Sequence, residues 1–232
     1  MRRLAALLCA VLALVASPLA AQQIVEETVV WVDEQGNEVS PPEDAGANWR
    51  FVAAEPAPVP TGIARFGPFR VIDGARAAMV DVSDTGAPAA FAAMLRAHPG
   101  IRLLDMVEVP GTLDDRANLR LGRMIRAAGI ATHVPRGGSV RSGGVELFLA
   151  GARHTADEGA EFAVHAWADE DGLSPQDYGP NAAENRAYID YYVEMGMTRE
   201  QARAFYAMTN SVPFEDALWL GRADMARWVR LD

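Results

Sequence analysis

The chain has 232 residues, half of them hydrophobic, and a formal net charge of −10. That length suits one domain with a full hydrophobic core and a small appendage. An acidic surface argues against nucleic acid and anionic membranes as main partners, because like charges repel. All 21 basic residues are arginine. A serine–lysine dyad is therefore impossible, and an activated serine would need histidine or a carboxylate as its base.

The chain opens Met1-Arg2-Arg3, continues apolar from Leu4 to about Val15, and then reads Ala16-Ser17-Pro18-Leu19-Ala20-Ala21. A positive start, an apolar run too short to span a bilayer and a small-residue cleavage zone predict a signal peptide over 1–21, cut after Ala21. Such a protein is periplasmic or secreted, with no stable membrane insertion after cleavage. The one cysteine, Cys9, sits in this leader behind Leu8, where a lipid-attachment signal would want a small residue. The mature chain then has neither disulfides nor a thiolate metal site.

Residues 22–66 form the predicted appendage. Thr28 to Val32 and the turn residues around Gly36 read as a short β-hairpin. Ser40 to Pro60 is rich in Pro, Ala and acids and reads as an arm lying across the surface.

The main domain is expected over 67–232. Phe69–Ile72 and Ala77–Val82 read as strands joined by an Asp73-Gly74 turn. Residues 87–97 read as a helix stopped by His98-Pro99-Gly100. Ile101–Val109 reads as one strand, Leu113–Ala128 as a helix closed by Gly129, and Ile130–Val134 as a strand. A glycine-rich turn then leads into an apolar helix from Ser142, and a strand near Phe162 delivers His165. Strands alternating with crossover helices predict an α/β fold with parallel pairs. Past an acidic loop at 169–175, Asn181–Met195 and a segment from Thr198 to about Met208 read as helices, with Thr198 and Gln201 forming a capping box. Pro213–Leu220 reads as a further helix.

Two glycine turns stand at the ends of neighbouring predicted strands, Pro110-Gly111-Thr112 and Gly137 to Gly144. In α/β sheets, sites lie at the carboxyl ends of strands, where loops enter helix N-termini with free backbone N–H groups. Ser142 and His165 can be a nucleophile and its base, or a capping serine and a buried histidine. Thr112 and Asp115 equally fit a capping box. Ser139 is a weaker nucleophile candidate on the same loop. The α/β-hydrolase elbow Gly-x-Ser-x-Gly fails at both serines, through Arg141 and Val140. His133 reads as a packed mid-strand residue, His98 as a helix-end residue and His154 as a surface residue of a polar turn. Trp167, two residues past His165, is a candidate pocket wall. No histidine pair has metal-site spacing, so no metal and no cofactor is expected.

The order of these parts resembles the Clp-protease and crotonase superfamily, and within it the Clp-type serine peptidases. The matching segments are Val107-Glu108-Val109-Pro110-Gly111-Thr112, Arg141-Ser142-Gly143-Gly144 through Leu149-Ala150-Gly151, and Ala163-Val164-His165. The resemblance spans about 69–228. It implies a spiral of ββα units with a C-terminal helical extension. It casts Ser142 as nucleophile, His165 as base, the N–H groups of Gly143 and Thr112 as oxyanion donors, and Asn210 in the place of the family's aspartate. Family members usually carry glycine at the Thr112 position. Asp216 is a neighbour of the third-residue position and is not assigned a role. The expected function is an exported serine hydrolase, peptidase-like, acting on a peptide or a small ester or amide, in an oligomer of unspecified order. The alternative is a non-catalytic Clp-like binding or scaffold protein of the cell envelope.

Overall fold

The computed structural model describes residues 31–32, 38–39, 55–169 and 171–232. The expected leader, the hairpin turn near Gly36 and the arm up to residue 54 lie outside them. The chain divides into two units after Pro42. In the first, β1 (Trp31–Val32) and β2 (Glu38–Val39) pair antiparallel, with Trp31 opposite Val39, as a hairpin requires.

The second unit starts its sheet with β3 (Ala64–Phe66), β4 (Phe69–Val71) and β5 (Arg76–Met79), paired antiparallel in sequence order. Strand β3 begins three residues before the expected start of the domain. It is a half-buried edge strand with too few residues to show a pattern. Asp73 holds the β4–β5 turn, its Oδ1 accepting from the amides of Ala75 and Arg76 at 2.9 and 3.0 Å. Helix α1 (Ala87–Ala97) spans the predicted residues, with Pro88 tolerated in its first turn and His98 ending it.

The predicted strand Ile101–Val109 is in fact two strands, β6 (Leu103–Met106) and β7 (Glu108–Val109), which belong to different sheets. Val107 is the crossing point: its amide donates to Met79 O in one sheet, and its carbonyl accepts from Ser139 N in the other. Continuous apolar content cannot show such a transfer, because both halves are buried. There follow α2 (Asp115–Ala127), β8 (Ala131–Val134), β9 (Ser139–Arg141), α3 (Gly143–Leu149), β10 (His154–Ala156) and β11 (Glu161–Val164). Then come α4 (Ala183–Glu194), α5 (Arg199–Thr209), β12 (Leu218–Gly221) and α6 (Arg222–Met225).

One sheet has the order β10-β8-β6-β5-β4-β3 and the other β12-β11-β9-β7. The pairs β5/β6, β6/β8, β8/β10, β7/β9 and β9/β11 are parallel. The α/β class with parallel strands and a C-terminal helical extension is therefore as expected. Helix α3 is buried along its whole length and packs on α2, β8, β9 and β11. The Thr198–Gln201 capping box is present. Among the described residues no helix is long and apolar enough to cross a membrane.

Two expectations fail here. Pro213–Leu220 is not a helix; a turn at its start leads into β12, which pairs antiparallel with β11, Leu220 opposite Phe162 and Leu218 opposite Val164. Helical spacing in so short a segment loses to an open strand edge that only the tertiary fold brings near. His154 is not in a polar turn. It opens β10, half-buried, with Nε2 3.0 Å from Leu149 O. His98 does end a helix, edge-on to Phe66 at 5.8 Å.

His133 is held rather than merely packed. Nδ1 lies 2.7 Å from Asp105 Oδ1 on the neighbouring strand, and Nε2 lies 3.4 Å from Asp157 Oδ1. The hydrogen bond from Asp105 raises its pKa above the usual 6.5, against the opposing effect of burial and with help from Asp157. The fold thus favours the protonated ring. Its contribution to stability is complete below about pH 6.5 and is lost as pH rises through the raised value. A His133→Asn variant should lack this component. Urea midpoints followed upward from about pH 6 should fall less for the variant than for the wild type, and equal slopes would refute the assignment.

Candidate active site

Strands β7 and β9 run parallel and adjacent, Val109 opposite Val140, so the turns that leave them converge. Gly111 takes φ +141, a conformation that side chains rarely adopt, and a Cβ there would lie 3.2 Å from Ser142 Cβ. A Cβ on Gly143 would lie 2.5 Å from Thr112 Cγ2. The two glycine turns touch, and each glycine is required by that contact.

Ser142 stands at the residue before α3 with φ 48 and ψ −129. Among the described residues it is the single non-glycine with positive φ. Such a backbone costs on the order of 1–3 kcal/mol and persists only where its surroundings impose it. Here the Ser142 amide donates to Ala163 O at 2.8 Å, and Ser142 O accepts from Val145 N at 2.9 Å. The serine side chain makes no capping bond, so the bland reading of Ser142 as a capping residue fails.

A small pocket of about 50 Å³ opens beside it, and Ser142, Gly143 and His165 all line it. His165 follows directly on β11. Its Nδ1 is 2.8 Å from Ala166 O. A carbonyl can only accept, so Nδ1 carries the proton and Nε2 keeps its lone pair. Phe214 stands edge-on to the ring with centroids 4.9 Å apart. Burial pushes the His165 pKa below the usual range, opposed by the Ala166 carbonyl and by the charges of Asp115 and Glu215. The ring is neutral at pH 7, the state a general base needs. Among the described residues no hydrogen bond joins Ser142 Oγ to His165, though both line the pocket.

The Gly143 amide stands at the first position of α3, where no intrahelical acceptor exists. A partner that the sequence does not reveal holds the next peptide, between Gly143 and Gly144. Asn118, buried on α2, donates from Nδ2 to Gly143 O at 2.7 Å and accepts from Ser83 Oγ at 2.7 Å. Thr112 needs no left-handed backbone, because Gly111 takes that conformation instead. Its hydroxyl accepts from Asp114 N at 3.1 Å and lies 3.2 Å from Ser83 O. The Thr112–Asp115 capping box does not form. Asp114 is the cap of α2, its Oδ1 accepting from Ala117 N at 2.9 Å.

Asn210 lines the pocket but does not hold His165. Its Nδ2 donates to Tyr206 O at 2.6 Å and lies 3.2 Å from Thr209 Oγ1, while the His165 Nδ1 contact is to the Ala166 carbonyl. Position at the C-terminus of α5 explains this: the side chain satisfies a last-turn carbonyl. Asp216 is exposed, and its side chain accepts from the amide of Ala217. Ser139 is fully buried, and its Oγ accepts from Arg141 Nη1 at 2.6 Å. Arg141 in turn pairs with Glu108 at 2.6 Å. Ser139 is therefore a structural residue. Trp167 does wall the pocket, donating from Nε1 to Tyr206 Oη at 2.7 Å.

Two acids in the pocket lining, Asp115 and Glu146, escape sequence reasoning. Glu146 lies one helical turn past Ser142, buried, with Oε1 accepting from Tyr192 Oη at 2.6 Å. Burial pushes its pKa up to about 7, against the Tyr192 bond, with a small further rise from Asp115. The available signal was one acid inside an otherwise apolar helix. Asp115, the first residue of α2, is exposed and lines the pocket. Loss of solvent raises its pKa, and the Tyr188 hydroxyl and the His165 ring oppose that rise. Among the described residues no group of histidines and acids could hold a metal ion.

No protein-family model matches the sequence, and no curated protein matches it. Several solved structures are similar in fold. A mutant of the 1510-N membrane-bound stomatin-specific protease, in complex with a substrate peptide, aligns at 13% identity and TM-score 0.42, covering 66% of this chain and 73% of that one. A second mutant of that protease aligns at 12% identity and TM-score 0.43, covering 66% and 77%. The 1510-N membrane protease specific for a stomatin homolog from Pyrococcus horikoshii aligns at 10% identity and TM-score 0.44, covering 67% and 69%.

Proposed function

We propose that this chain is an exported, peptidase-like serine hydrolase of Clp-type ancestry. The observation that carries the reading is the strained backbone of Ser142, set at a helix start in one pocket with a neutral His165. Ser142 Oγ attacks the carbonyl carbon of a peptide, ester or amide. His165 Nε2 takes the hydroxyl proton and passes it to the leaving nitrogen or oxygen as the bond to carbon breaks. Water, deprotonated by the same nitrogen, then attacks the acyl-enzyme, and that proton passes to Ser142 Oγ as its bond to the acyl carbon breaks. The Gly143 N–H, with that of Thr112, holds the oxyanion. Ala166 O supplies the orienting contact that a triad gives to a carboxylate.

A fluorophosphonate probe tests this. Wild-type protein should be labelled, and Ser142→Ala and His165→Ala should not. Labelling that survives Ser142→Ala would remove the serine from the mechanism. The second reading, a non-catalytic envelope scaffold, is favoured by one observation, the absence of a Ser142–His165 hydrogen bond. It predicts no labelling of any form.

Gly143→Ala tests the oxyanion position separately. The added methyl would stand 2.5 Å from Thr112 Cγ2 and 3.0 Å from Asn118 Nδ2, so the turn must shift. Turnover of an activated ester should fall about 100–1,000-fold, with about 1–3 kcal/mol of stability lost to overpacking. Unchanged turnover would exclude the Gly143 amide as a donor.

A further inference from the structure

The wall facing Ser142 and His165 has a composition that the acyl-transfer chemistry does not require. It holds Asp115, Asn210 and the aromatic side chains of Trp167, Tyr188 and Tyr206, and no arginine lines the pocket. The donors of this wall are already committed. Trp167 Nε1 donates to Tyr206 Oη, and Tyr206 Oη donates to Asn185 Oδ1 at 2.5 Å. The Tyr188 hydroxyl donates to Asp115. The Asn210 amide nitrogen must face the Tyr206 carbonyl, which leaves Oδ1 buried and without a partner. The unspent polar capacity is therefore acceptor only: the Asp115 carboxylate and Asn210 Oδ1. Aromatic rings add the negative potential of their faces.

We propose that this wall is a specificity pocket for a cationic side chain of the substrate, a guanidinium or an alkylammonium, with Asp115 as its counter-ion. A cation rich in N–H groups meets each feature at once. It pairs with Asp115, donates to Asn210 Oδ1 and lies against aromatic rings. A neutral apolar side chain would leave Asn210 Oδ1 unpaired and take from Asp115 the water that serves its remaining acceptor capacity. The proposal rests on the serine-hydrolase reading for the word substrate, but binding itself needs no chemistry.

Calorimetric titration of the full chain carrying Ser142→Ala separates the two. N-acetyl-arginine methylamide should bind at least tenfold more tightly than its neutral isostere, N-acetyl-citrulline methylamide. Asp115→Asn in that background should abolish the preference, and Asp115→Glu should restore most of it. Equal binding of the two ligands, or a preference that survives Asp115→Asn, would overturn the proposal. Binding of argininamide that is lost on acetylation would also overturn it, since the pocket would then read a free amino terminus. A wild type that fluorophosphonate does not label, but that still prefers arginine, would sink the hydrolase reading and leave the cation pocket standing.

Discussion

Ser142→Ala should reduce hydrolysis of an activated ester or peptide substrate to background, on the order of a million-fold in kcat, with little change in KM. A nucleophile and its base act as a unit, so His165→Ala should cost nearly as much alone, and the double variant little more than either. The Ser142 hydroxyl makes no capping bond, so its removal should leave stability nearly unchanged. That separates a lost nucleophile from a lost fold. The pH profile adds a second check. His165 is pushed below 6.5 by burial, so the acidic limb of kcat/KM should fall below pH 6.5, with full activity at neutral pH. Additive losses, or a Ser142→Ala protein that still turns over, would count against the mechanism.

Glu146→Gln should make the protein more stable at neutral pH, by about 3 kcal/mol. The carboxyl titrates near 4.5 when exposed and at about 7 in its buried site. The folded state therefore binds a proton that the unfolded state has released. Stability from this group is whole below about pH 4.5 and is lost as pH rises to about 7. A gap of roughly 2.5 units at 1.36 kcal/mol each gives about 3 kcal/mol, a large part of the 5–15 kcal/mol typical of a domain. Glutamine is neutral at every pH and keeps an oxygen for the Tyr192 hydroxyl, now 2.6 Å from Oε1. Urea unfolding of both proteins should give equal stability near pH 4.5 and a gap that opens up to about pH 7. Parallel curves would show that Glu146 does not titrate in that interval. His133 loses its contribution at higher pH, so the two effects separate along the axis.

Why a site would keep so costly an acid follows from its neighbours. Tyr192 and Tyr191 both donate to Glu146, one to the side chain and one to the carbonyl at 2.7 Å. These bonds tie α4 to the helix that Ser142 begins. The network joins α4 to the helix that lines the pocket, at the expense of stability from about pH 4.5 upward.

Local chemistry made much of the chain legible. Helix α1 was readable to the residue because Pro88 and the His98-Pro99-Gly100 stop act within one turn of their own positions. The Thr198–Gln201 box was readable for the same reason. Ser142 and His165 could be singled out because a glycine turn before an apolar helix and a histidine behind a strand are features of adjacent residues. The misses share a different cause. Strands β9 and β10 are three residues each, and their partners lie on other strands. The helix expected at Pro213–Leu220 became a strand because β11 offered it an edge.

The amino-acid sequence alone determined the class of fold, the two glycine turns and the exclusion of lysine as base, since composition and short-range spacing carry that information. Tertiary structure alone decided that Val107 passes the chain between sheets, that Asn118 holds the Gly143 carbonyl, and that Ala166 O rather than Asn210 orients His165. It also placed Asp115 and Glu146 in one pocket with the serine. Each of these depends on which distant residues fold against a given side chain, and burial and hydrogen-bond direction exist only once the partners are in place.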